Sequence, residues 1–169
     1  MPTAALGDIH AGSDVFLDAN VFVHALLGQS AQCRQLLERC AHEEVFGVTS
    51  LDVVVEATHR LMLAEAHAKG LITRQSASKL KEKPQDIRSL GAYWTQAESI
   101  LNLNIMVLDT DEDDIRRAQT VRSSHGLLTR DSVLVAIMWE YGLASLASRD
   151  HDFDRVPGLV RYEPTDVTA

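Results

Sequence analysis

The sequence predicts an α/β fold with a central, mainly parallel sheet, and three observations carry that prediction. Apolar runs of strand length recur at residues 15–17, 45–48, 105–108 and 143–147. The first three each give way to a stretch of helical periodicity. Strands alternating with helices imply crossover connections, and so parallel pairing. At 169 residues, 46% hydrophobic and 24% charged, the chain fits a single globular domain, 1–169, with a full core.

Taken in order, Val15, Phe16 and Leu17 have the composition of a short buried strand. It stops at Asp18, after which Val21, Phe22, Val23 and Leu26 set a helical spacing. Residues 28–30 break that helix, and 31–43 form the next, with Leu36, Leu37 and Cys40 in helical register. The second strand is 45–48. Thr49 and Ser50 are cap-type residues before a long helix, 51–69, that Gly70 ends. Its expected apolar stripe is Leu51, Val54, Val55, Thr58, Leu61 and Met62, which leaves Glu56 on the opposite side beside Asp52 and Arg60. Residues 75–103 read as one or two further helices, with Pro84 suited to a helix start. A third strand at 105–108 leads to a helix that Thr110 and Asp113 open as a capping-box-like pair and His125-Gly126 closes. Thr129 caps a helix over 130–141, apolar on all sides from Val133 to Trp139 and therefore buried. A fourth strand at 143–147 and an edge strand at 159–162 complete the sheet.

Bulk properties exclude several classes. No apolar run approaches the roughly 20 residues of a membrane span, and the first residues lack the basic start and apolar core of a signal peptide. A cytoplasmic protein without membrane association is the expectation. Cys33 and Cys40 fall in one helix about 10 Å apart along its axis, too far for a disulfide. With no Cys-x-x-Cys pair, a thiolate zinc site is disfavoured. The net charge of −8 argues against indiscriminate nucleic-acid binding. Its distribution is uneven, however: Lys69, Arg74, Lys79, Lys81, Lys83 and Arg88 face only Glu82 and Asp86 in residues 69–88. The chain has one basic arm on an acidic body.

Glycine-rich phosphate loops and the Gly-x-Ser-x-Gly elbow are absent, and His59 and His67 lack metal-motif spacing. What remains is a series of carboxylates at strand ends and helix starts: Asp18, Glu56, Asp131 and Asp150, with Asp152 and Asp154 close by. In a parallel sheet, Asp18 and Asp150 leave by the same carboxyl edge, where ligands of open α/β sheets bind. Acids converging there repel one another unless a cation neutralises them, and an all-oxygen set selects hard ions such as Mg²⁺ or Mn²⁺. Each acid also has a simpler reading. Asp18 suits a helix cap, Asp131 a helix first turn, Glu56 a surface pair with Arg60, and Asp152 and Asp154 a turn. Asp109, Asp111, Glu112, Asp113 and Asp114 read as a solvated helix start. The residues alone leave both accounts open.

Four segments together resemble the successive motifs of PIN domains, including VapC-type toxins of toxin–antitoxin pairs. They are Phe16-Leu17-Asp18-Ala19-Asn20; Thr49-Ser50 with Glu56; Asp131-Ser132-Val133-Leu134-Val135-Ala136; and Ser148-Arg149-Asp150-His151-Asp152-Phe153. The resemblance covers about residues 15–162. It implies a three-layer α/β/α fold and an acidic pocket binding Mg²⁺ or Mn²⁺, with metal-dependent endoribonuclease activity. Carried over by position, the catalytic and metal-binding acids are Asp18, Glu56, Asp131 and Asp150. Asn20 and Ser148 brace them, and Asp152 and Asp154 are supplements. The implied partners are an RNA substrate, a small antitoxin protein and a second copy of the chain. Two departures stand out: a helical, locally basic excess at about 66–103, and Ser148 where Thr is commoner. The excess keeps a non-toxin PIN nuclease of RNA processing in view.

Three other classes compete. A receiver-like phosphoacceptor domain has acids at strand ends but resembles its relatives in a lysine near the last strand, and no Lys follows Lys83. A non-catalytic binding module would keep the fold and lose the acids, yet all four are present. A dehalogenase-type phosphatase would want Asp at position 20, where this chain has Asn.

Overall fold

The computed structural model describes residues 3–74 and 76–167. Its elements follow the predicted alternation: β1 (Thr3–Ala5), β2 (Asp14–Leu17), α1 (Ala19–Leu26), α2 (Ala31–Ala41), β3 (Phe46–Ser50) and α3 (Leu51–Ala68). Then come α4 (Ala77–Lys81), α5 (Pro84–Arg88), α6 (Ala92–Leu101), β4 (Met106–Leu108), α7 (Glu112–His125), α8 (Thr129–Glu140), β5 (Ser145–Ala147) and β6 (Val160–Glu163). Short 3₁₀ turns at Leu6–Asp8 and His151–Arg155 link the rest.

Among the described residues the six strands form one all-parallel sheet in the order β1-β6-β5-β2-β3-β4. Val15, Phe16 and Leu17 of β2 are each wholly buried. Successive strand side chains point to opposite faces, so burial of all three means helices cover the sheet on both sides. The result is the expected three-layer α/β/α arrangement. From β2 the chain runs outward to β3 and β4, then returns to place β5 on the other flank of β2. The strand order therefore reverses between β2 and β5, and their carboxyl ends flank a natural crevice.

Several expectations need correction. The strand at 159–162 is not an edge, because β1, too short to register in the sequence, pairs outside it in parallel. Residue 75 lies outside the described residues, and among the described residues of 76–103 there are three helices, two of them of only five residues, one opened by Pro84. The apolar stripe of α3 is rotated: Val54 and Leu61 are buried as expected, but Leu51 and Val55 are exposed and Val53, Ala57 and Ala64 are buried in their place. At the start of α3, Ser50 caps by position without a side-chain bond, while Thr49 donates its hydroxyl to the Leu17 carbonyl at 2.9 Å. In α7 the cap is Asp111, not Thr110, with Asp114 as its reciprocal partner. Asp114 is buried and bonded to Arg117 at 2.7 Å, so that helix start is solvated only in part.

The far half of α3 carries a small apolar cluster of Leu63, Ala66, Ile72, Leu80 and Leu90. Tyr93 bridges it to the main core. Glu65 ties the segment together by accepting from the backbone N–H groups of Gly91 and Tyr93 and pairing with Lys69. Among the described residues no helix is long and apolar enough to cross a membrane.

Cys33 and Cys40 are free, buried thiols, and burial raises both to a pKa of about 11. Cys40 sits against Gly47 of β3, where an added Cβ would meet its Sγ at 2.9 Å and the Ile105 Cγ1 at 3.0 Å. Gly47→Ala should lower stability by about 1–3 kcal/mol through overpacking. In a double-mutant cycle with Cys40→Ala the loss should be partly recovered. Urea denaturation of the four proteins measures this, and strictly additive changes would refute the contact.

Candidate active site

The carboxyl edge of the sheet gathers residues from four distant segments. Asp18 follows β2 directly and caps α1, its Oδ1 accepting from the Ala19 N–H at 2.7 Å. Its Oδ2 accepts from Asn20 Nδ2 and from Ser148 Oγ, both at 2.6 Å. The Asn20 amide also donates to Ser148 Oγ at 3.1 Å, and Asn20 Oδ1 accepts from the Arg149 N–H at 3.1 Å. Ser148, fully buried, accepts from the Asp150 N–H as well. Thus Asn20 and Ser148 form a knot that binds the end of β2 to the end of β5. Ser148 supplies the hydroxyl that the knot requires, and Asp18 caps α1 with one oxygen while the other takes the bonds of the knot.

Asp131 stands in the first turn of α8, where the helix dipole favours an acid. That helix is held hard: Ser132 through Met138 are all buried. The Ser132 hydroxyl accepts from Arg122 at 2.9 Å and donates to the Thr129 carbonyl at 2.7 Å. Asp150 caps the following 3₁₀ turn, its Oδ1 accepting from the Asp152 N–H at 2.9 Å. Asp131, Asp150 and Asp152 each bring a carboxylate oxygen to within 4.8 Å of the others. Asp152, a supplement by sequence, therefore stands inside the cluster, with Arg155 paired to it at 2.8 Å.

Burial, followed by the charges of Asp150, Asp18, Asp152 and Glu56, pushes Asp131 up to about 6. Burial also raises Asp18, against the lowering effect of its bond from Ser148. Burial is the main cause of both shifts, and at Asp131 the neighbouring negative charges add to it. An all-carboxylate oxygen set of this kind suits a hard divalent cation.

Glu56 is placed differently from the sequence reading. Rotation of α3 turns it toward the crevice, half-buried, where it pairs with Arg130 rather than Arg60. Asp154 turns away from the cluster to Arg161 at 2.7 Å, which holds it below the usual carboxylate range. Arg161 went unnoticed in the sequence. It lies buried in β6, also pairs with Glu163 and donates to the Ser148 carbonyl, so it fastens the turn bearing Asp152 to the sheet. Its one signal was a charge within an apolar strand. Beside the acids, between α3, α7 and α8, lies a cavity of about 200 Å³ whose walls include Asp18, Glu56 and Asp131.

A carboxyl whose folded pKa lies above its ordinary 3.8 stabilises the fold below that value and loses the benefit as pH rises through about 6. In a chelator, Asp131→Asn should therefore melt above the natural protein at pH 7.5, with the gap closing toward pH 4. A calorimetric Tm series over that range measures it, and a gap independent of pH would contradict the crowded-charge account.

The sequence matches the PIN domain family over residues 15–159. It is 22% identical over 153 residues to ribonuclease VapC6 of Methanocaldococcus jannaschii, covering 85% of this chain and 93% of that one. The fold is similar to that of VapBC2 from Rickettsia felis, solved bound to a DNA fragment from its promoter. There the TM-score is 0.59 at 15% identity, over 89% of this chain and 98% of that one. Mycobacterium tuberculosis VapC20, a sarcin-ricin-loop-cleaving toxin, aligns with a TM-score of 0.54 at 15% identity, over 83% and 92%. With the strand order, the carboxyl-edge acids and a family match across most of its length in agreement, the chain belongs to the PIN-domain family.

Proposed function

We propose that this protein is a metal-dependent endoribonuclease, the toxin of a toxin–antitoxin pair, with Asp18, Glu56, Asp131 and Asp150 as its acids and Asp152 beside them. The observation that carries the reading is the convergence of Asp131, Asp150 and Asp152 to within 4.8 Å, with Asp18 adding its charge to the same point. The VapC relatives support it by their names, one a ribonuclease and one an RNA-loop-cleaving toxin. The toxin–antitoxin complexes among the structural neighbours support a small protein partner. A homodimer is the expected assembly, and residues 66–103 are read as a helical insertion in a single domain.

Bound Mg²⁺ or Mn²⁺ would supply a water of lowered pKa and charge stabilisation at the phosphate. Asp131, Asp150 and Asp152 would hold it through their converging oxygens. Asp18, whose oxygens are engaged by the Asn20–Ser148 knot and the Ala19 N–H, would add its negative charge beside them. Asn20 and Ser148 act by orientation: they fix which way the Asp18 carboxylate points. Glu56, tethered by Arg130, sits at the margin and takes part when that pair opens. None of these groups has to act as a covalent nucleophile, since the attacking oxygen comes from water.

Purified protein should cut single-stranded or structured RNA with Mg²⁺ or Mn²⁺ and not with EDTA. Asp18→Asn and Asp131→Asn should each lower the rate by about 100-fold or more. Ser148→Ala, which removes a supporting group, should cost about 10–100-fold, the range for outer-shell partners of metal ligands. Full activity in either Asp variant would refute the site. Expression of the chain alone should arrest growth and Asp131→Asn should not; harmless expression of an active nuclease would favour an RNA-processing role.

A further inference from the structure

We infer that the cavity beside the acids is a nucleobase pocket, which selects the base adjacent to the cut. The inference rests on the nuclease reading above and adds the element that chooses where cutting occurs.

The cavity is continuous with the acidic site, since Asp18, Glu56 and Asp131 belong to its walls. An aliphatic side is formed by Val53 of α3, Ile115 of α7, and Val133 and Leu134 of α8, and Ser50, Asp52 and Thr129 add polar groups to the rim. At about 200 Å³ it has room for one planar ring system and not for a stretch of helix. A strand whose phosphate lies at the acids has the neighbouring base within reach of this space. RNA recognition of the sequence-specific kind proceeds through such splayed, unstacked bases.

Two polar features favour a base over an aliphatic protein side chain. Thr110 lines the cavity, and its Oγ1 is buried without a hydrogen-bond partner among the described residues. A rotation about χ1 exchanges the hydroxyl with the methyl at the cavity wall, where it can donate to or accept from the edge of a base. An aliphatic occupant would leave that hydroxyl unpaired. Arg130 stands at the same wall and carries a planar guanidinium suited to stacking or to a phosphate. The buried Val53, Val133 and Leu134 exclude water from the face of the ring, and the unpaired Thr110 hydroxyl reads its edge.

The test combines a cleavage assay with a binding assay that needs no cleavage. A randomised single-stranded RNA pool is cut by the natural protein, by Thr110→Val and by Ile115→Trp, which fills the exposed mouth, and the ends are sequenced. Equal melting temperatures establish that the variants are folded. The natural protein should prefer one base at a single position beside the cut. Thr110→Val should flatten that preference roughly five- to tenfold, the worth of one hydrogen bond, and Ile115→Trp should abolish it. In parallel, methyl NMR of the full chain with Mg²⁺ follows Val53, Val133 and Leu134. The probes are phosphorothioate-linked tetramers of each base and an abasic tetramer. The preferred base should shift these methyls and the abasic tetramer should not.

Unchanged preferences in both variants, or equal shifts with the abasic tetramer, would overturn the pocket and leave the nuclease reading standing. Base-dependent shifts without cleavage of any RNA would overturn the nuclease reading and keep the pocket. Shifts caused only by an added leucine-rich helical peptide would make the cavity a protein-docking groove and overturn the inference.

Discussion

Mutual repulsion among carboxylates is the constraint around which the rest of this molecule is arranged. Asp131, Asp150 and Asp152 lie within 4.8 Å of one another and Asp18 acts on the same point. Nothing in a folding chain brings such groups together spontaneously, so each must be held by structure that is stable for other reasons. Asp18 is held by three hydrogen bonds at the end of a strand whose last three residues are wholly buried. The remaining acids are held by the buried helix α8 and by the turn that Arg161 fastens to the sheet. The parallel sheet makes this feasible: all its carboxyl ends face one way, so rigid strands aim separate segments at one place.

The holding devices are of two kinds, and they differ in strength. In the knot, Asn20 and Ser148 each make a short hydrogen bond to the Asp18 carboxyl, sheltered from water where such bonds are strong, and a third bond at 3.1 Å joins the two donors. The pairs Arg155–Asp152 and Arg130–Glu56 involve arginines about half exposed, and ion pairs of that kind contribute little in water. Strength is therefore concentrated where orientation matters. The weaker pairs guard acids at the margin, where they can exchange partners cheaply.

How much of this was legible in the sequence follows from how local each feature is. Asp18, Asn20, Ser148 and Asp150 abut short apolar strands, and a strand that ends in an acid can be read from a few consecutive residues. The receiver alternative gave way for a related reason: the family match spans the series of motifs rather than any one of them. Glu56 was misplaced because periodicity assumes that Leu51 and Val55 must be buried. Both are exposed near the open end of the crevice, and the true stripe, through Val53 and Ala57, brings Glu56 inward. Thr110 lost its expected capping role because Asp111 and Asp114 make a reciprocal box one residue later. The strand β1, at three residues, is too short to carry a period, and so β6 was taken for an edge. The cavity was illegible because its walls come from segments far apart in sequence, whereas the partners of Arg161, from Ser148 to Glu163, are near in sequence but meet it only once the turn folds back onto β6.

The charge balance adds one further step. A chain of net charge −8 whose acids cluster at one edge repels a phosphate backbone where the backbone has to approach. The basic residues of 69–88 do not relieve this locally. Helix α3 starts beside the acids and runs 18 residues, about 27 Å, before that arm begins, more than three Debye lengths at physiological salt. Part of the arm's charge is spent nearby, with Lys69 on Glu65 and Lys79 on Glu82. On the nuclease reading, neutralisation of the acids must then come before a phosphate can settle among them. The same charges that weaken the metal-free fold at neutral pH thereby become a condition on the order of binding: cation first, RNA second.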